Sequence, residues 1–325
     1  MRAARCLRPG PPSGITVEEI AEPEPGPGEV RVRVHYAAVN FPDVLMVAGS
    51  YQVTVPTPFT PGSEFAGVVD ALGAGVTTPA VGDPVLGGVL TGAFAQSLVV
   101  PADRVSPVPA GLRGDLAAAA AFRVTYATAY HALVTFGAGR VGEPVVVLGA
   151  AGGVGTACVD LGTRLGFPIV AAASSPARVR AALDLGAVAG VDYAAEDLKT
   201  RLKELTGGGA DLVVDPVGGP YSEAALRAVR WGGRFVVVGF AAGEIARIPL
   251  NLLLLKGVTA RGFELRTLPE HDPAAVAECD AVLDRLAGEG MRPAVSAVRP
   301  LADVASVLTD VAERRVVGKV VLDCG

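Results

Sequence analysis

The sequence predicts an α/β protein in which a mainly β domain precedes a doubly wound domain built on a parallel sheet. Three observations carry that prediction. Glu143 to Gly166, EPVVVLGAAGGVGTACVDLGTRLG, is a short apolar run, a glycine turn and a helix-compatible segment of small and apolar residues. Beyond Gly155, apolar runs alternate with helical stretches, the pattern that buries a parallel sheet between helices. Well upstream, Glu29 to Asn40 (EVRVRVHYAAVN) sets Val30, Val32, Val34 and Tyr36 against Arg31, Arg33 and His35, as a strand with one solvated face does.

In chain order, further strand-like pieces of the first domain are FAGVVDAL from Phe65 and AFAQSLVVP from Ala93, separated by Gly and Pro turns. In the α/β part, strands are expected at Pro168 to Ala173, Val188 to Val191, Asp211 to Val214 and Gly233 to Gly239. Helices are expected between them at Pro176 to Leu185, Glu196 to Thr206 and Tyr221 to Val229. The right-handed crossover rule leaves few topologies for such an alternation besides a Rossmann-type one. After about residue 265 come a helix (Pro273 to Leu286), a strand (Val295 to Val298), a helix (Leu301 to Ala312) and a last strand, GKVVLD. These are expected to return to the first domain, leaving a ligand cleft between two lobes.

The glycine turn is a place to hold a dinucleotide. A strand that feeds a helix through such a turn brings backbone N–H groups and the positive end of the helix up to a pyrophosphate. Against the pattern G-x-G-x-x-G, the glycine positions fall on Ala150, Gly152 and Gly155, so an alanine stands first. Gly152, Gly153 and Val154 are the expected backbone contacts. At the end of the second strand, where an NAD site places an acid on the ribose, the chain instead reads Ser174, Ser175 and Arg178, with no carboxylate until Asp184. Two hydroxyls and a guanidinium can receive a 2′-phosphate, which favours NADPH. Ser-Ser-Pro can equally cap the helix that Pro176 opens, and the two roles are compatible.

At 325 residues, half of them apolar, the chain is long enough for two cores. Its net charge of −5 comes with no basic run, so nucleic acid is not an expected partner. Pro9 to Pro12 interrupt any signal-peptide core, and the greasiest stretch, Leu250 to Leu255, is far too short to span a bilayer. No membrane partner and a cytoplasmic location are expected. Cys6, Cys158, Cys279 and Cys324 are scattered, as are His35, His131 and His271, and form no metal-ligand spacing.

Several segments together carry a resemblance. VNFPDVLMVAGSYQ (Val39 to Gln52), PGSEFAGVV (Pro61 to Val69), AAFRVTYATAYHAL (Ala120 to Leu133), GAAGGVG (Gly149 to Gly155), VDPVGG (Val214 to Gly219) and NLLLLKG (Asn251 to Gly257) stand in the order and spacing of the medium-chain dehydrogenase/reductase superfamily. Over nearly its whole length the chain resembles the zeta-crystallin-like quinone oxidoreductase branch. The resemblance implies a GroES-like catalytic domain (residues 1–122), a Rossmann NADPH-binding domain (123–262) and a return to the catalytic domain (263–325). It also implies a homodimer and flat conjugated electron acceptors.

Zinc-dependent alcohol dehydrogenases resemble the chain around PGSEFAG but carry a ligand histidine where Ser63 stands and a ligand cysteine where Asn40 stands. Neither an amide nor a serine competes as a zinc ligand with thiolate and imidazole, so zinc is not expected. Without a Lewis acid, the expected chemistry shifts to hydride transfer onto a quinone or an α,β-unsaturated carbonyl, which can delocalise the arriving charge. By the resemblance, Asn40 and Tyr51 belong to the acceptor pocket and Thr128 supports the nicotinamide side. Tyr193 belongs beside the adenosine phosphate, Gly239, Phe240 and Phe263 near the nicotinamide, and Lys319 near the phosphates. Glu64 reads as a buried hydrogen-bonding or charge-pairing residue. An enoyl or 2-alkenal reductase and a non-enzymatic crystallin-like binding protein stay open as alternatives.

Overall fold

The computed structural model describes every residue, Met1–Gly325. The chain divides into two compact units, Met1–Val124 with Asp284–Gly325, and Thr125–Leu283. The first begins with an antiparallel pair, β1 (Arg2–Arg5) and β2 (Thr16–Glu19). There follow β3 (Glu29–Ala38), α1 (Phe41–Ala48), β4 (Glu64–Leu72), β5 (Pro84–Gly88), β6 (Ser97–Pro101), β7 (Val105–Pro107) and α2 (Leu116–Ala120). Helix α3 (Arg123–Tyr130) leads the chain into the second unit.

The second unit runs β8 (Val145–Leu148), α4 (Gly153–Arg164), β9 (Ile169–Ala173), α5 (Pro176–Asp184), β10 (Ala189–Asp192), α6 (Leu198–Leu205) and β11 (Ala210–Asp215). It continues through α7 (Pro220–Ala228), β12 (Val229–Val237), α8 (Asn251–Lys256), β13 (Thr259–Gly262), α9 (Leu268–His271) and α10 (Pro273–Gly288). The chain then closes the first unit with β14 (Val295–Pro300), α11 (Val304–Ala312) and β15 (Lys319–Asp323).

In the first unit the alternation of β3 does what its pattern requires. Val30, Val32 and Val34 are wholly buried against Phe65, Val85 and Phe94, while Arg31 turns outward to Asp70 at 2.8 Å. The sheet order is β14-β15-β3-β4-β5-β7, with β6 also on β3. In the second unit, β8, β9 and β11 are buried at every residue, which is why they read as unbroken apolar runs. Its six strands are parallel in the order β10-β9-β8-β11-β12-β13, the doubly wound order with its reversal between β8 and β11.

Two expectations need correction. Residues 263–283 stay with the second unit and do not return to the first. Phe263 stacks on Phe136 (centroids 4.8 Å apart), and the Tyr130 hydroxyl donates to Glu278 at 3.1 Å, so this segment is tied to its own unit by rings and a hydrogen bond. The strand expected from Gly233 begins at Val229 instead. Residues Arg230 to Gly233 are taken up as a register irregularity between the Ala210–Val229 and Leu212–Arg234 pairs.

Candidate active site

The second unit gathers its candidate residues along one edge of its sheet. Each of the six parallel strands ends in one of them or in the turn that holds them. Gly149 follows β8 with a left-handed φ of 59°, Ser174 follows β9, Tyr193 follows β10, Val217 lies just past β11, Gly239 just past β12, and Phe263 follows β13. The carboxyl ends of an open parallel sheet are where such folds bind ligands, at the reversal of strand order.

Gly152 caps the N-terminus of α4 without a side chain, and no acid stands in the first turn of that helix. The first turn of α4 thus sets neither a capping side chain nor an acid against the positive end of the helix, which fits an anionic phosphate group. Register then assembles the neighbouring site. Asp192 pairs with Ala173, so Tyr193 and Ser174 emerge side by side, and the Tyr193 N–H donates to Ala173 O at 2.9 Å. Ser175 does cap α5, accepting the Arg178 N–H at 3.4 Å, while the exposed Ser174 is no part of that cap. The Tyr193 ring lies 4.2 Å from that of Tyr221.

Sequence reasoning did not single out Asp215. Its buried carboxylate accepts N–H bonds from Val217 and Gly218, both at 2.8 Å, and the Ser222 hydroxyl at 2.5 Å, which ties down the loop after β11. Burial pushes this carboxyl above its usual range, against the pull of the Ser222 hydroxyl and the two N–H groups. The signal for it was VDPVGG, an acid followed at once by a Pro-Gly loop. Phe240 is exposed, whereas Phe263 packs on Phe136 with its edge toward His131. Thr128 is buried within α3.

The first unit holds a polar cluster at the start of α1. Three strands build it by register. Val321 pairs with Ala38, which carries Lys319 opposite Asn40, and Ala38 pairs with Glu64. Asn40 precedes the first turn of α1, and Asp43 reaches back to accept the Asn40 backbone N–H at 2.7 Å. The Asn40 side chain turns the other way. Its Oδ1 accepts from Lys319 Nζ at 2.7 Å, and its Nδ2 donates to Glu64 Oε2 at 3.2 Å. Glu64 Oε1 takes the Val124 N–H at 2.8 Å, and its other oxygen pairs with Lys319 at 3.3 Å. Burial pushes the Asp43 carboxyl up to about 6, although the Asn40 N–H, the Ser63 hydroxyl and the Lys319 charge pull the other way.

Lys319 corrects an expectation. It is a buried member of this cluster, its ammonium committed to Asn40, Glu64 and Val39 O, and so it is not a phosphate contact. Glu64 is the buried charge-pairing residue that was expected. Ser63 Oγ lies 3.5 Å from Asn40 Nδ2, and nowhere do three His, Cys, Asp or Glu side chains form a group that could hold a metal. Tyr51, beyond the C-cap Gly49 of α1, packs half-buried on the apolar core of the same unit.

Comparison with known proteins covers both units. The family model for the alcohol dehydrogenase GroES-like domain matches residues 26–110, and that for zinc-binding dehydrogenase matches residues 153–287. Rat quinone oxidoreductase-like protein 2 is 37% identical over 324 residues, spanning 99% of this chain and 91% of the relative. The quinone oxidoreductase of Thermus thermophilus, solved also in complex with NADPH, superposes with a TM-score of 0.86 at 35% identity, covering 99% and 100% of the two chains. The Escherichia coli quinone oxidoreductase complexed with NADPH gives 0.91 at 25% identity over 99% and 100%.

Proposed function

The chain belongs to the quinone oxidoreductase branch of the medium-chain dehydrogenase/reductase superfamily, and on that premise we propose that it is an NADPH-dependent, zinc-independent reductase of quinones or similar conjugated carbonyls. The observation that carries this reading is the cluster at Asn40. Where zinc-dependent members of the superfamily keep metal ligands, a carboxamide and a hydroxyl stand 3.5 Å apart, backed by an ammonium and a carboxylate. That is a hydrogen-bond donor site, and it suits an acceptor able to spread its own charge.

NADPH, when bound, supplies the hydride. The backbone of Gly152, Gly153 and Val154 and the N-terminus of α4 would hold its pyrophosphate. Ser174, Ser175 and Arg178 would take the 2′-phosphate, with Tyr193 beside the adenosine. Gly239, Phe240, Phe263 and Thr128 are the proposed nicotinamide surroundings. The Asn40 amide and the Tyr51 phenol donate hydrogen bonds to the acceptor oxygen as charge builds on it, which lowers the barrier only in so far as they are already oriented. The hydride leaves a hydroquinone monoanion, and the single proton that completes it comes from solvent.

We further propose a homodimer, with β13 at the sheet edge as its seam. The test of function is stopped-flow oxidation of NADPH against a panel of quinones, alkenals and enoyl thioesters. Fast turnover confined to quinones is the expected result. Preference for the thioesters or alkenals would make the protein a double-bond reductase, and no turnover with any of them would leave a binding protein.

A further inference from the structure

Lys319 is 3% exposed and its ammonium has three oxygen partners, Asn40 Oδ1 at 2.7 Å, Val39 O at 3.1 Å and Glu64 Oε2 at 3.3 Å. An ammonium carries three hydrogens and accepts none, so this shell accounts for all its donors. The carboxamide atom facing it must therefore be oxygen, which fixes the orientation of Asn40. Its nitrogen then faces Glu64 Oε2 at 3.2 Å, while its other contacts, Ala38 O at 3.4 Å and Ser63 Oγ at 3.5 Å, are long. One N–H is taken by the carboxylate and the second is only weakly engaged by the protein. A half-turn of the carboxamide would set its NH2 against the ammonium and its oxygen against the carboxylate, so both neighbours select the same orientation.

We infer that Lys319 is a positioning residue of the acceptor pocket: together with Glu64 it locks the Asn40 carboxamide so that Asn40 meets an acceptor oxygen only as a hydrogen-bond donor. The inference rests on the proposed reading of Asn40 as an acceptor contact. A donor held in this way needs no reorganisation when charge arrives on the acceptor.

The test substitutes Lys319→Met, of similar length but without charge or donor, and measures kcat with a water-soluble benzoquinone at saturating NADPH. The lock predicts a loss of about tenfold or more in kcat, the size expected for one charge-assisted hydrogen bond. The Kd for NADPH should stay within about twofold, and in an Asn40→Ala background the same substitution should change kcat by less than about twofold, because coupled residues do not add. A Lys319→Met chain strands a buried carboxylate and can fail to fold; Lys319→Met with Glu64→Gln removes both charges and should recover the melting temperature but not kcat. Recovery of kcat would reduce Lys319 to charge balance and overturn the inference. So would an undiminished loss in the Asn40→Ala background, or a weakened NADPH Kd with kcat intact. Independently of turnover, the carboxamide 1H–15N pair that Asn40→Ala deletes from asparagine-labelled protein should shift in the doubly neutral variant. If the native protein reduces no conjugated carbonyl, the functional reading fails while this signal still decides whether the lock exists, and an unshifted pair would refute it.

Discussion

A Cβ added at Gly155 would lie 2.1 Å from the carbonyl oxygen of Gly149 and 2.7 Å from the Cα of Ala150. Both obstacles are backbone, so neither can swing aside. At Gly152, three residues earlier, φ is −83° and the nearest atom, Gly149 O, is 3.4 Å away. The two glycines therefore serve different ends. Gly155→Ala is expected to lower the melting temperature, with an overpacking cost of about 1–3 kcal/mol or more. Gly152→Ala should fold normally and lose NADPH affinity, because its methyl enters the proposed phosphate approach. Thermal unfolding and NADPH titration of the two variants check this, and equal melting temperatures would refute it.

Asp43 sets a pH dependence of stability. Its carboxyl rises from the ordinary 3.8 to about 6 in the folded chain, so between those values the folded state holds a proton that the unfolded state has released. Stability from this group is present below about pH 4 and falls as pH rises through 6. A shift of this size corresponds to roughly 3 kcal/mol once the group is ionised. Asp43→Asn removes the titration and keeps an oxygen for the Asn40 N–H. Relative to the native chain, the variant should gain stability from pH 4 to 6 and hold that gain above it. Denaturant midpoints across the range measure it; a difference that does not change with pH would contradict the assignment.

The fold was legible where burial imposes a period. The wholly buried β8, β9 and β11 and the half-buried β3 announced themselves, since one buries both faces and the other alternates. The short, exposed β13 (TARG) and the three-residue β7 are too brief or too exposed to carry such a pattern, and pair at the ends of their sheets on β12 and β5. In the candidate site, the strand–turn–helix at the glycines and the Ser175 cap of α5 were readable because both are local geometry. Lys319 was not, for its position is set by the register of β15 on β3, 280 residues away in sequence from its Val39 partner. Asp43 was missed for a related reason, since an acid three residues into a helix reads first as a capping residue, and only tertiary packing makes it buried.

The purified protein is expected to hold far less than stoichiometric zinc and to keep its activity in a chelator, because an amide and a hydroxyl do not match thiolate and imidazole as zinc ligands. Elemental analysis before and after chelation is the check. Stoichiometric zinc lost together with activity would reverse this reading.

Arg178→Ala should raise the Kd for NADPH and leave that for NADH nearly unchanged, since only the former carries the 2′-phosphate. One charge-assisted hydrogen bond corresponds to about a 10- to 150-fold loss. The side chain is partly exposed, so the lower figure is expected, and Ser174 would preserve some selectivity. Parallel titrations with both nucleotides measure it. Equal losses would assign Arg178 to a shared part of the nucleotide or to the fold.

Strand β13 ends the parallel sheet with all four residues exposed. Helix α8, just before it, leaves Leu254 82% and Leu255 68% exposed, and the 79%-exposed Trp231 lies against Gly257 at the end of that helix. An open sheet edge flanked by large apolar side chains is a liability for a monomer, whereas pairing with a second copy about a two-fold axis would cover the edge and the patch together. Light scattering should therefore give the mass of a dimer. Leu254→Glu with Leu255→Glu, on the exposed face and remote in sequence from the polar cluster at Asn40, should shift it toward the monomer without unfolding the sheet, and the melting temperature of the native chain should rise with protein concentration. A monomer mass for the native chain at every concentration would refute the dimer, and a dimer mass unaffected by the two glutamates would move the seam away from α8 and β13.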